Sequence, residues 1–424
     1  MATISADSKI ISERKMTVYS SLSTQKKNRI ESIDVLRGLT IFVMIFVNDL
    51  ASVKGIPWWM QHMPENTDGM TFVDVVFPAF LFIVGMSIPF SINKRIASGE
   101  SLFVVWKHIL IRTAGLLILG ILMVNISSLN SSVVGMSHSV WMLLVFIGAV
   151  LVWNQYPKAE GKKKLTFNSF KFLGIILLIY LALIFRSGQP NNLGWLQTKW
   201  WGILGLIGWA FFFSSAVYII FRKQPAGIIG MFIIFILLYI GDKSGALGNF
   251  YSQNIKNYFW LGGHIGAHTA ITLSGIIVSL LFLENSPAKT PKEKIVWIIV
   301  FATMMFVVGF LLRPLYGISK IYATPTWSLY SSAICSVIYA LLYWIVDIKN
   351  KVGWAKFLKP AGTNPLLAYL LPDIFYSVLW IFGINFLSEY FGYGVIGIIR
   401  SLIFSLIMLA LTALFNKWNV RLHL

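Results

Sequence analysis

Long, almost uninterrupted apolar runs recur along this chain, among them Ile203 to Phe221, Ile295 to Leu312 and Leu402 to Phe415. Such runs leave the backbone few choices. In hydrocarbon every N–H and C=O must be satisfied within the protein, so a spanning segment becomes a helix or joins a closed barrel. Barrel strands are short and alternate in polarity, whereas these runs are long and continuous. The chain therefore reads as all-α, a polytopic helical membrane protein. A charged fraction of 12% beside 57% hydrophobic residues excludes a soluble globule, in which about a quarter of the residues are charged.

A span needs about 20 apolar residues. Hydropathy places twelve of them, near 35–52, 71–92, 109–125, 139–154, 172–186, 203–221, 228–241, 266–283, 295–312, 327–346, 366–387 and 395–415. Residues 1–30 are polar and basic and read as a cytoplasmic tail, with 31–424 as one transmembrane domain. The net charge of +19 raises the question of nucleic acid, but the basic residues are scattered among short loops and form no basic domain. With the amino terminus inside, 26 of the 35 Lys and Arg fall in inside segments and 7 in outside loops. By the positive-inside rule that asymmetry puts the loop between the first two spans on the outer face. The single cysteine, Cys335, lies in an apolar span and supports neither a disulfide framework nor a thiolate metal cluster.

Polar side chains inside or at the ends of spans are rare and are usually functional or paired. Asp34 and Arg37 lie three apart at the start of the first span, either as a capping ion pair or with Arg37 available for a phosphate. Asn48 ends that span and Asp74 opens the next. Between them, Trp58, Trp59 and Gln61 precede His62, the side chain there best suited to proton transfer near neutral pH. Asn48 could donate to a developing oxyanion, and Asp74 could orient an imidazole or hold a substrate amine. Both could equally serve as helix caps. A tryptophan beside such a site could stack on a sugar ring or anchor the interface. His264 and His268 have the spacing of a two-histidine metal pair, but the glutamate of a zincin is missing. No metal site is expected there; the pair, like His138, reads as vestibule-facing.

Asp34-Val35-Leu36-Arg37-Gly38-Leu39-Thr40, Asn48, His62 and the run Asp74 to Ile88 together resemble the heparan-α-glucosaminide N-acetyltransferase family. A weaker similarity continues at Ile318-Ser319-Lys320, Thr324 to Ser328 and Gly362 to Leu366. The resemblance implies a multispan enzyme that carries acetyl from cytosolic acetyl-CoA to the amino group of a glucosamine on the far side. It puts His62 on the family's catalytic histidine and Asn48 on its active-site asparagine. Asp74 and Trp59 are then expected at the acceptor, and Arg37, Lys320 and Asn364 at the coenzyme. The family's Gln-Arg pair of the fourth core span is absent from Ser137 to Leu144.

The implied setting is a bacterial inner membrane. An amino sugar or glycan, the bilayer and a second copy of the chain are the expected partners. Two alternatives stand beside this reading, an O-acyltransferase acting on an external glycan and a sugar transporter.

Overall fold

The structure, a computed structural model, describes residues 30–248 and 258–423. The expected basic tail 1–30, Ile30 apart, and Lys256 lie outside the described residues. The described part is helical except for short turns and one small hairpin that pairs Ser187–Gln189 with Asn192–Gly194.

In chain order the long helices are α1 (Glu31–Leu50), α2 (Val73–Ala97), α3 (Leu102–Asn125), α4 (His138–Trp153), α5 (Gly161–Ile184) and α6 (Gly202–Phe221). They continue as α7 (Pro225–Lys243), α8 (His268–Leu280), α9 (Pro291–Tyr316), α10 (Pro325–Tyr343), α11 (Pro365–Ile381) and α12 (Gly394–Lys417). Among the described residues, nine segments are long and apolar enough to cross a membrane. A tenth is the bent pair Gly353–Thr363 with Pro365–Ile381. The remaining two long helices fall short for opposite reasons: α4 has 16 residues, and α1 carries Glu31, Asp34, Arg37 and Asp49 in its 20.

Local chemistry explains where these helices begin. Ser101, Thr290 and Thr324 cap α3, α9 and α10 with their hydroxyls, and Glu293 completes a capping box at α9. The first turn of α1 is capped from a distance. Asp347, just beyond α10, accepts from the backbone N–H of Glu31 at 2.9 Å and of Ser32 at 3.1 Å, satisfying two of the four donors a helix start leaves open. The bend before α11 falls at Asn364-Pro365, where proline disfavours helical geometry in the residue before it.

Burial separates a core from a periphery. The segment Leu261–Leu280 is 83% buried, whereas α5 and α9 are each 17% buried and present apolar faces outward. The core is tight because α2 and α8 cross at glycines. A Cβ on Gly85 would stand 1.8 Å from the Thr272 carbonyl oxygen, and one on Gly275 2.0 Å from that of Phe82. Membrane helices that lack a hydrophobic drive to associate use small residues in this way to bring backbones together. The segment leading into α8, Leu261–Ala267, is a π-helical turn.

Candidate functional site

Two groups of polar side chains occupy opposite ends of the α1–α2 pair. At the first, the N-terminus of α2 places Asp74 under the loop that joins the two helices. One Asp74 oxygen accepts from the backbone N–H groups of Met63 (3.2 Å) and Thr71 (3.1 Å) and from the Thr71 hydroxyl (3.4 Å). The loop is thereby wrapped around a carboxylate that is only 1% exposed, and the other oxygen meets His62 Nδ1 at 2.7 Å. With Nδ1 held as the donor to Asp74, Nε2 keeps its lone pair. The His62 side chain is 44% exposed, so that lone pair is accessible.

A second loop closes on the first. Asp68 accepts from Arg313 Nε (3.0 Å) and from the backbone N–H of Ile318 (2.7 Å), and the N–H of Gly69 donates to the Ile318 carbonyl (3.1 Å). Trp327, in the first turn of α10, donates its indole N–H to the Asp74 carbonyl at 3.2 Å. These bonds bring Lys320 over His62, with Nζ 3.2 Å from Nδ1, 3.4 Å from Nε2 and 4.0 Å from Asp74. Burial draws the Lys320 ammonium below the usual lysine range, and Asp74 pulls it back the other way.

Asn48 is exposed in the last turn of α1. Its neighbour Val47 packs with Val73 and Val76, which sets Asn48 at the same end as Asp74. Trp59 sits in a single 3₁₀ turn, half-exposed, with its ring centroid 6.0 Å from that of Phe72.

The second group surrounds a cavity of about 370 Å³ between α1, α2, α3, α6 and α11. Arg37, Arg95, His108, Arg112 and His423 gather at one end, Ile83, Ile109, Ile207 and Phe211 supply apolar walls, and Met44, Phe80 and Tyr369 lie at the other end. Arg37 donates to Asp34 (3.1 Å) and to Ser87 (2.8 Å). Arg112 is a residue that loop counting hides: α3 begins at Leu102, so Arg112 lies ten residues inside the helix, and its guanidinium is 4.4 Å from the Phe211 ring centroid. Its Nε is buried without a hydrogen-bond partner. His423 lies lower than an ordinary histidine, first because it is buried and then because Arg112 and Arg421 repel its charged form. The apolar end of the cavity reaches Phe80, six residues from Asp74 along α2, or about 9 Å of helix.

The expected residues divide between these ends. His62, Asp74, Asn48 and Trp59 share the first and Arg37 lies at the second. Lys320, expected beside Arg37 at the coenzyme, stands against His62 instead. Asn364 is fully engaged: its amide donates to Asn416 and to the Val420 carbonyl, both at 2.9 Å, and its oxygen accepts from the Leu422 N–H at 3.1 Å. It clamps the tail that brings Leu422 and His423 to the cavity wall, and its neighbours Thr363 and Pro365 do the lining.

His268 is also placed differently from the vestibule-facing expectation. It is 4% exposed, packed between the Phe77 and Trp327 rings, with Nδ1 2.9 Å from the Gly263 carbonyl. His264 turns its ring edgewise to Trp260. The two rings are claimed by different neighbours, His264 by Trp260 and His268 by Phe77 and Trp327. His138 is exposed and 3.1 Å from the Ser131 hydroxyl. Among the described residues, no three His, Cys, Asp or Glu come close enough together to hold a metal.

Fold and site together define a multispan helical membrane protein with a histidine–aspartate pair at one end of its central helices and a basic, partly apolar cavity at the other. The chain belongs to the family described as a domain of unknown function (DUF5009), whose profile matches residues 29–264. It is also a distant relative of heparan-alpha-glucosaminide N-acetyltransferase. It is 24% identical to the mouse protein over 383 residues, covering 81% of this chain and 53% of the mouse one. To the human protein it is 37% identical over 97 residues, 23% of this chain and 14% of the human one. The chain thus spans about half the length of the mouse relative.

Proposed function

We propose that this protein is a transmembrane acetyltransferase that takes acetyl from acetyl-CoA on the cytoplasmic side and delivers it to the amino group of a glucosamine-type sugar on the outer side. The observation that carries the reading is the cavity. Its basic end suits the phosphates of a coenzyme, since guanidinium groups bind phosphate in a fixed fork. Its apolar walls suit the thin pantetheine arm, and its far end, at Phe80, lies about 1.7 helical turns along α2 from Asp74. Arg37 and Arg112 would hold the nucleotide portion.

In this reading His62 Nε2 has one of two roles. It takes the proton of the acceptor amine while that amine attacks the thioester carbonyl, or it attacks the carbonyl itself and passes the acetyl on. Asp74 keeps the imidazole oriented with Nε2 outward. Asn48 donates to the carbonyl oxygen and Trp59 forms a wall for the sugar. Residues 31–424 act as one domain, and the excess of Lys and Arg at the Arg37 end favours a cytoplasmic amino terminus in a bacterial inner membrane.

The test is transfer of radiolabelled acetyl from acetyl-CoA to glucosamine by purified protein. Labelled N-acetylglucosamine from wild type and none from His62→Ala supports the enzyme and the site together. Labelled ester on a glycan hydroxyl would move the assignment to an O-acyltransferase. No acyl transfer, with sugar carried unchanged across proteoliposomes, would move it to a transporter.

A further inference from the structure

We propose that Lys320 is a catalytic residue of this acetyl transfer, the cationic donor that stabilises the oxyanion of the tetrahedral intermediate; the proposal rests on the acetyltransferase reading above. The argument begins with where the loop 317–324 puts its one ammonium. Four attachments hold that loop against the His62 loop: Arg313 and the Ile318 N–H on Asp68, the Ile318 carbonyl on Gly69, and the Ser319 hydroxyl, 3.5 Å from the Glu65 carbonyl. The loop also caps α10, because the Thr324 hydroxyl accepts from the backbone N–H of Ser319 and of Trp327. Lys320 is thus fastened on both sides by backbone geometry before its own side chain makes any contact.

That side chain does not run out to solvent, as a loop lysine ordinarily does. It folds inward, 29% exposed, and ends within 3.4 Å of both ring nitrogens of His62. As a structural ion pair this is poor geometry: Asp74 is 4.0 Å away, and its oxygens already serve His62, Met63 and Thr71. An ammonium carries three donors, and Asp74, at 4.0 Å, engages none of them closely. Donors therefore remain for an incoming oxygen.

Oxyanion donors act at about 2.7–3.1 Å from the oxygen that gains charge. A carbonyl carbon under attack beside Nε2 places its oxygen within that reach of Nζ. The electrons balance without a further reagent. The acceptor nitrogen forms a C–N bond and the carbonyl π pair moves onto oxygen, where Lys320 Nζ–H donates a hydrogen bond and keeps its proton. The pair then returns, the C–S bond breaks with its electrons on sulfur, and the proton that His62 took from the amine neutralises the thiolate. Amine and thioester become amide and thiol. If His62 attacks first, the same oxygen gains the same charge beside the same ammonium.

The experiment restores the charge chemically in protein that has already folded. Lys320→Cys is made with Cys335→Ala, which removes the one native thiol, and purified. One portion is then alkylated with 2-bromoethylamine, which rebuilds an ammonium at lysine length, and the other with iodoacetamide, which adds a neutral amide. Acetyl transfer from acetyl-CoA to glucosamine is measured for both, beside wild type and Lys320→Met. The expected result is a kcat about 10²–10³-fold lower for Lys320→Met with each KM within about threefold, and recovery of at least tenfold on aminoethylation alone. Equal recovery with both reagents, or a loss confined to KM, would overturn the proposal while leaving the acetyltransferase standing. A wild type that transfers no acetyl overturns both.

Discussion

Two buried aspartates lie at the same end of the bundle and differ in what surrounds them: Asp49 closes α1 and Asp74 opens α2. Each carboxylate is 1% exposed. Asp49 is enclosed by protein. Arg400 Nη2 reaches its carboxylate at 3.0 Å and its carbonyl at 3.3 Å, the Tyr376 hydroxyl donates to its other oxygen, and Arg400 also donates to Ser52 and to the Leu387 carbonyl. That network ties α1 to α11 and α12, and the partners of Asp49 all lie inside the protein, with Arg400 Nε buried and unpartnered. Asp74 is equally buried, but its chain of partners opens outward through the half-exposed His62 ring to the Lys320 ammonium. A buried network closed on the protein's own groups rigidifies, whereas a buried carboxylate behind an accessible imidazole can orient a reactive group. The difference lies in whether the partner is itself buried, as Arg400 is, or opens to the outside, as His62 does.

The sharpest way to break the comparison is to remove one partner from each side. His62→Ala should lower acetyl transfer by about 10²–10⁴-fold, the usual worth of a positioned base. It should cost less stability than Arg400→Met, because removing a half-exposed ring opens the vacated Asp74 oxygen to water and its other oxygen keeps Met63 and Thr71. Labelled product counted beside a melting curve checks both halves. If His62→Ala melted as early as Arg400→Met, the two aspartates would be alike after all.

Arg400→Met should do the reverse. Leaving Asp49 buried and unpaired should cost about 3–5 kcal/mol of stability, read as early melting in detergent, with the surviving folded fraction still transferring acetyl. Adding Asp49→Leu should recover most of that loss, since well-packed apolar replacements of a buried pair are often neutral. A double variant no more stable than the single one would argue against reading this pair as structural.

Arg112 tests the other end of the cavity. Arg112→Gln should raise the KM for acetyl-CoA about tenfold or more, as expected for one charge-assisted hydrogen bond of about 1.5–3 kcal/mol, and leave kcat at saturation near that of wild type. The same substitution should flatten the dependence of that KM on salt. A fall in kcat at unchanged KM would put Arg112 in the chemistry and erase the division between a binding end and a reacting end.

How much of this was legible in the sequence follows from the range of each interaction. The helices could be read because hydropathy is a property of consecutive residues. His62 and Asp74 could be read as neighbours because only twelve positions and one loop separate them. Lys320 lies 258 residues from His62 and Arg400 lies 351 from Asp49, and no local pattern announces such pairs. Arg112 falls within the expected span 109–125 but draws no role, because the Phe211 ring it meets lies about a hundred positions away. Asn364 is expected at the coenzyme, while its clamp on the tail depends on residues more than fifty positions away. His264 and His268 misled because spacing says nothing of what surrounds each ring, and the Phe77 and Trp327 rings that bury His268 are far from it in the sequence.

Trp59 carries the smallest effect, and it sharpens what exposure means at the open end. Its ring is half-exposed and tilted against Phe72, an arrangement that suits either an interfacial anchor or a platform for a sugar face. An aromatic contact of this kind is worth about 0.5–1.5 kcal/mol, so as a platform Trp59→Ala should raise the KM for glucosamine roughly three- to tenfold, leaving kcat and the KM for acetyl-CoA unchanged. Trp58, more exposed at 68%, is the internal control. If both substitutions leave the acceptor KM alone and instead weaken reconstitution into liposomes, the two tryptophans belong to the membrane interface, and the acceptor must be held by the polar side chains that face His62.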